Sequence, residues 1–216
     1  MNVYFVSGFL ANCHIFDRIK LPDGFEKKYI EWYIPQGDET LLEYAEKMAE
    51  SIDLQKPFVL VGCSFGGFVI QEMNKFLKPE KNIIISSIKN EQEVPTLFQL
   101  GRKVNFAERF PMDILSKTSV LSKLFVKYVY HIPPSESDEF TDNTNPVYMK
   151  WAIRQILNWK PPVHVENLYH IHGTKDLTFP IKSIQNAFVV ENGDHLMVMK
   201  KSREINRILE QILTAT

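Results

Sequence analysis

The apolar positions of this chain fall into two alternating rhythms over its first ninety and last fifty residues. Short runs such as Val3 to Val6, Phe58 to Val61 and Asn82 to Ser86 are continuous and rich in β-branched or aromatic residues. Runs of that length, closed by turn residues, predict strands buried on both faces. Between them the spacing changes to three and four. Leu41, Ala45, Met48 and Ile52 share one helical face, and Thr40 with Glu43 has the capping-box spacing, so 40–53 reads as an amphipathic helix. A second strand is expected over Lys28 to Tyr33, after a turn at Pro22-Asp23-Gly24. A helix to about Leu77 follows the third strand, and the fourth strand ends near Ser86. Late in the chain Leu168 to His172 and Ala187 to Val190 read as strands, and Ile205, Ile208, Leu209 and Ile212 as the face of a last helix. Strands alternating with helices predict an α/β fold, a mainly parallel sheet of about six strands covered on both sides.

Between residues 90 and 162 the alternation breaks. Helical patterns occur there without strands: Leu97 to Ala107, Ile114 to Tyr130, and a helix opened by Asn145-Pro146 and running through Trp151 and Ile156. A polar stretch, Pro133 to Asp138, separates the last two. The expected organisation is a core of residues 1–89 and 163–216 with a helical lid inserted at 90–162.

The stretch that carries chemistry is Gly62-Cys63-Ser64-Phe65-Gly66-Gly67, placed between an apolar strand and a helical segment. In such a strand-to-helix elbow the serine takes a strained positive φ, and side chains two residues before and after it would collide. Ser64 would then stand above the strand ends, where ligands bind in parallel sheets. Asp176 and His195 also fall just after predicted strands. A serine hydroxyl needs a base within reach, and the base needs a carboxylate on its other ring nitrogen. His195 and Asp176 suit these roles. The N–H of Phe65 and one from the turn Ser7-Gly8-Phe9-Leu10, with Phe9 preferred and Leu10 in reserve, would hold an oxyanion.

On these residues the chain resembles the α/β-hydrolase fold family. Its elbow matches Gly62 to Gly66, its acid Asp176 in His-Gly-Thr-Lys-Asp, and its base His195 in Gly-Asp-His. The order Ser, Asp, His is the family's order. The resemblance covers 2–88 and 163–214 and implies a serine hydrolase of esters or thioesters working without a cofactor. The chain departs from the family in lacking the usual one or two strands before the oxyanion turn, and in having Ser7-Gly8 where His-Gly is common. Acyl transfer on the same three residues, or a binding protein with vestigial catalysis, are the alternatives.

Other residues weigh less. His170 and His172 share a strand face, but no third ligand lies at matching spacing, and no metal is expected; His172 reads as a packed strand-end residue. Asp113 and Asp194 are rival acids, and Cys63 reads as packing. Phe98, Phe106, Phe110, Phe125, Tyr128 and Trp151 read first as helix packing; Phe125 and Trp151 are the lid candidates for an apolar acyl wall.

Composition narrows the partners. A net charge of −1, with 44% hydrophobic and 24% charged residues, gives no case for nucleic acid or an anionic membrane surface. Two cysteines make no disulfide framework, no apolar run approaches the ~20 residues that span a bilayer, and the start is not that of a signal peptide. A cytoplasmic enzyme acting on a small acyl ester or thioester is expected. Nothing in the pattern selects monomer or homodimer.

Overall fold

The structure, a computed structural model, describes residues 1–109 and 145–215. Among these, six strands form one sheet in the order β2-β1-β3-β4-β5-β6, every neighbouring pair parallel. They are β1 (Asn2–Val6), β2 (Glu26–Ile30), β3 (Phe58–Cys63), β4 (Lys81–Ile85), β5 (Leu168–Gly173) and β6 (Phe188–Val190). The central β3 is buried along its whole length, as its unbroken apolar run requires.

The helices are α1 (Leu41–Ala49), α2 (Phe65–Met73), α3 (Thr96–Lys103), α4 (Phe106–Arg109), α5 (Pro146–Asn158), α6 (Met197–Lys200) and α7 (Ser202–Thr214). The capping box at Thr40 and Glu43 is formed in both directions. Asn145 caps α5 by accepting from Val147 N, with Pro146 at the first helical position. Among the described residues no helix is long and apolar enough to cross a membrane.

Alternation along each strand sends neighbouring side chains to opposite faces. Val3, Phe5, Val59, Val61, Ile83, Ile85 and Ile171 form one core, packed under Ile205, Leu209 and Ile212 of α7. Tyr4, Val6, Leu60 and Ile84 belong to the other, with Trp32, Tyr44, Phe65, Phe68, Trp151 and Trp159.

Several boundaries differ from those the periodicity predicts. β2 spans Glu26–Ile30 rather than 28–33, because the two aromatic residues beyond it are drawn off the sheet. Trp32 donates its indole N–H to Ser7 Oγ at 2.8 Å, and the backbone N–H of Tyr33 goes to Tyr44 Oη at 2.9 Å. Helix α1 stops at Ala49, and Ile52 is buried through the turn that follows. Helix α2 stops at Met73, where Asn74 bonds back to Ile70 O and across to Asn82. The expected helix 97–107 is two pieces, α3 and α4. The expected helix Ile114–Tyr130, the polar stretch 133–138, Phe125, Phe110, Tyr128 and Asp113 lie outside the described residues.

Candidate active site

β3 enters α2 through Ser64, whose backbone is at φ 51°, ψ −117°. A serine held there stores strain of about 1–3 kcal/mol, tolerated only where the surroundings fix it. They do so by close approach. A Cβ on Gly66 would stand 2.3 Å from Val6 O, and one on Gly62 would stand 2.4 Å from Gly66 O. The elbow is also tied to β4, with Ser64 N donating to Ile85 O at 2.9 Å and Ser87 Oγ donating to Ser64 O at 2.8 Å.

Ser64 Oγ lies 2.9 Å from His195 Nε2, and His195 Nδ1 lies 2.9 Å from Asp176 Oδ2. All three side chains are buried. A carboxylate only accepts, so His195 Nδ1 carries the ring proton and Nε2 turns its lone pair to the serine hydroxyl. Asp176 has its other oxygen filled too, Oδ1 accepting from the backbone of Thr178 and Phe179 at 2.9 Å each. Burial raises its carboxyl. His195, by charge and hydrogen bond, then His172 and the Phe179 N–H, outweigh burial and leave the group net below its ordinary value. A hydroxyl so connected can lose its proton to the imidazole as it attacks.

The rival groups point elsewhere. Asp194 accepts from Leu196 N at 3.1 Å and pairs with Lys200, away from the ring next to it in sequence. The Cys63 thiol is buried, and burial pushes it up to about 12, so it is an inert packing group. His14 pairs with Asp17 at the surface, and His164 is exposed.

The turn after β1 lies against the serine: a Cβ on Gly8 would come within 3.3 Å of Ser64 Cβ and 3.8 Å of its Oγ. Ala11 N closes this turn on Gly8 O, and Leu10 sits at φ 62°. Phe9 is buried with its ring stacked on Tyr148 at 6.1 Å. Phe65, the first residue of α2, stacks on Trp32 at 5.1 Å and 4°. Ser7 donates to Ala11 O at 2.6 Å while accepting from Trp32. Trp32 thus touches both the turn and the elbow, a link the sequence pattern does not signal because Trp32 reads there as a strand residue.

Trp151 is buried against Tyr44 at 4.1 Å and Phe65 at 6.0 Å, and its indole donates to Glu39 O at 2.7 Å. His170 and His172 face one another and are bonded to Lys89 and Phe179 O, partners that only the folded chain brings near. Among the described residues no group of three or more His, Cys, Asp or Glu side chains is arranged to hold a metal ion.

No family model and no curated protein sequence matches the chain. Its backbone is similar to many solved structures. An esterase from Thermogutta terrifontis superposes with a TM-score of 0.71 at 16% identity, over 99% of this chain and 89% of that one. An epoxide hydrolase from Bacillus megaterium does so with 0.72 at 14%, covering 99% and 93%. MenH from S. aureus gives 0.71 at 17%, again over 99% and 93%. Identities this low speak for architecture alone. Together with the six-stranded parallel sheet and its flanking helices, they show that the chain has the α/β-hydrolase fold.

Proposed function

We propose that the protein is a serine hydrolase that cleaves a carboxylic ester or thioester through an acyl-enzyme intermediate. The observation that carries the reading is the 2.9 Å approach of Ser64 Oγ to His195 Nε2, with Asp176 on the far ring nitrogen. The esterase among the similar structures is consistent with it.

In this reading Ser64 Oγ attacks the acyl carbonyl while His195 Nε2 takes its proton. The carbonyl oxygen becomes an anion held by the Phe65 N–H and by an N–H of the turn at Phe9, with Leu10 the second choice. Collapse of the intermediate expels the alcohol or thiol, protonated by His195, and leaves Ser64 acylated. Water then attacks the acyl group, His195 takes its proton, and the acid departs as the proton returns to Ser64. Asp176 keeps its charge throughout and stabilises the imidazolium. The residues and water balance every step, so the reaction needs no cofactor.

Segment 90–162 is inserted between β4 and β5, and parallel strands all end on the side where Ser64 lies. In this reading the segment is a lid that sets acyl preference, with Trp151 acting through Phe65 and Tyr148, the rings it packs on. Acyl esters and thioesters of graded chain length, together with a fluorophosphonate probe, test the proposal. Ser64→Ala should lose labelling and several orders of magnitude in turnover. Labelling that persists at another serine would overturn the assignment.

A further inference from the structure

Behind Asp176 lies a buried polar chain that the proposed reaction does not use. His172 Nε2 stands 2.8 Å from Phe179 O, and a carbonyl can only accept, so this nitrogen carries the proton. His172 Nδ1 is then a lone pair, and it receives the Nε2–H of His170 at 3.0 Å. His170 Nδ1 is left as an acceptor too, and it receives the ammonium of Lys89 at 3.1 Å. Lys89 is held in turn by Glu93 at 2.9 Å and by Gln185 O. One proton position therefore dictates the others, and both rings are neutral Nε2–H tautomers. A further proton on either ring would set a donor against a donor.

The surroundings act in the same direction. Burial first, then His172 and Lys89, hold His170 well below its ordinary value, against the opposing pull of the Ser87 backbone carbonyl. Burial also lowers His172, against the opposing pull of Asp176 and the Phe179 carbonyl. The charged or titratable groups facing the pair are Lys89 and Glu93 from the segment after β4, and Asp176 and His195 from the loops after β5 and β6.

One end of this chain meets the acid. Phe179 closes the turn whose N–H groups fill Asp176 Oδ1, and His172 grips that turn by its carbonyl. His172 Nε2 is also 3.6 Å from Asp176 Oδ2, the oxygen that takes His195. The other end grips the same loop further on, since Glu93 accepts from Gln185 N at 3.2 Å.

We propose that Lys89, His170 and His172 form a proton-locked chain that positions Asp176, His172 being the positioning residue for the acid. A neutral ring beside Asp176 leaves the carboxylate's charge to His195, whereas a cationic one would compete for it. The inference rests on the hydrolase reading above.

The test compares His172→Phe, His172→Gln and Ser64→Ala on a small ester, with active sites titrated by fluorophosphonate. His172→Phe should lower kcat per active site by roughly 10- to 100-fold, the scale on which outer partners of a site act. KM should change little. His172→Gln, whose Nε2–H can reach Phe179 O, should recover most of the rate. In the wild-type protein, ¹⁵N spectra should show both rings still as neutral Nε2–H tautomers at pH values below the ordinary one near 6.5. This last measurement stands even where His172→Phe does not fold. A His172→Phe protein with normal kcat overturns the inference, whatever its Tm. So does a His172 that becomes cationic at or above the ordinary value near 6.5 in the wild type. Turnover surviving in Ser64→Ala overturns the hydrolase reading instead, so the two failures are distinct.

Discussion

The two faces of the sheet solve burial differently. Under α7 the face is aliphatic: Val3, Val59, Val61, Ile83, Ile85 and Ile171 meet Ile205, Leu209 and Ile212, with Phe5 and Phe16 among the few rings. These side chains have no polar atoms and their packing is satisfied by shape alone. The face under α1, α2 and α5 is built from Trp32, Tyr44, Phe65, Phe68, Trp151 and Trp159. Each indole there carries a donor that burial obliges it to satisfy. Trp32 goes to Ser7, Trp151 to Glu39 O and Trp159 to Glu72. His170 and His172, next to Ile171 on β5, point to this second side by the strand's alternation. One face therefore holds the sheet together. The other does that and also fixes the loops around Ser64.

The comparison would be sharpened most by Asp176→Asn, which keeps shape and burial but offers His195 the wrong partner. A loss on the order of 10⁴ in kcat is expected with little change in Tm. Asp194→Asn, whose carboxylate serves Leu196 N and Lys200, should cost far less activity. The reverse order would show that the acid is misassigned.

On the aliphatic face Leu209→Ala opens a cavity under a fully buried side chain. A loss of about 2–5 kcal/mol in unfolding free energy is expected from urea titration. Rate per titrated active site should stay at the wild-type level. A fall in that rate would break the division of labour between the faces.

Trp32→Phe is the matching change on the aromatic face. It keeps a ring against Phe65 but removes the donor to Ser7 Oγ. The stability cost should be about 1 kcal/mol, the net worth of one hydrogen bond. The rate should nevertheless fall by roughly tenfold, part of the 10²–10³ that an oxyanion donor supplies, because the turn at Gly8 to Ala11 loosens. Unchanged kcat in that variant would make Trp32 packing and nothing more.

What was legible in the sequence is what local pattern encodes. The elbow could be read because glycine spacing, a preceding strand and a following helix occur together within Phe58–Met73. The parallel sheet could be read because strand and helix periods alternate. The end of β2 could not, since Trp32 and Tyr33 are good strand formers and leave the sheet only for partners elsewhere, at Ser7 and Tyr44. The histidine pair was visible as two residues on one strand face. Its partner Lys89 stands 81 positions earlier, just past β4, where a lone lysine carries no pattern. Chemistry placed by strand ends leaves a trace in sequence, and chemistry placed by side-chain packing between distant loops does not.

The last expected effect concerns pH, and it bears on the same asymmetry. His170 and His172 are buried neutral on the aromatic side, so their folded pKa values lie below those of the unfolded chain. Below about pH 6.5 the unfolded chain then binds protons that the folded protein refuses. Stability is complete above that pH and declines as pH falls through the window between the unfolded and folded values. Each histidine contributes a slope of up to about 1.36 kcal/mol per pH unit there. Asp176 acts in a lower window, its folded value depressed below an unfolded one near 3.9, so its contribution is lost only as pH drops further. Urea titrations between pH 7.5 and about 5 should therefore show stability falling before any carboxylate in the site titrates. His170→Gln should remove about one proton from that slope whatever it does to stability at neutral pH. Leu209→Ala, on the silent face, should lower the whole curve and leave the slope as it was. A slope equal in wild type and His170→Gln would mean that His170 is as free to accept a proton folded as unfolded, against the donor it receives from Lys89.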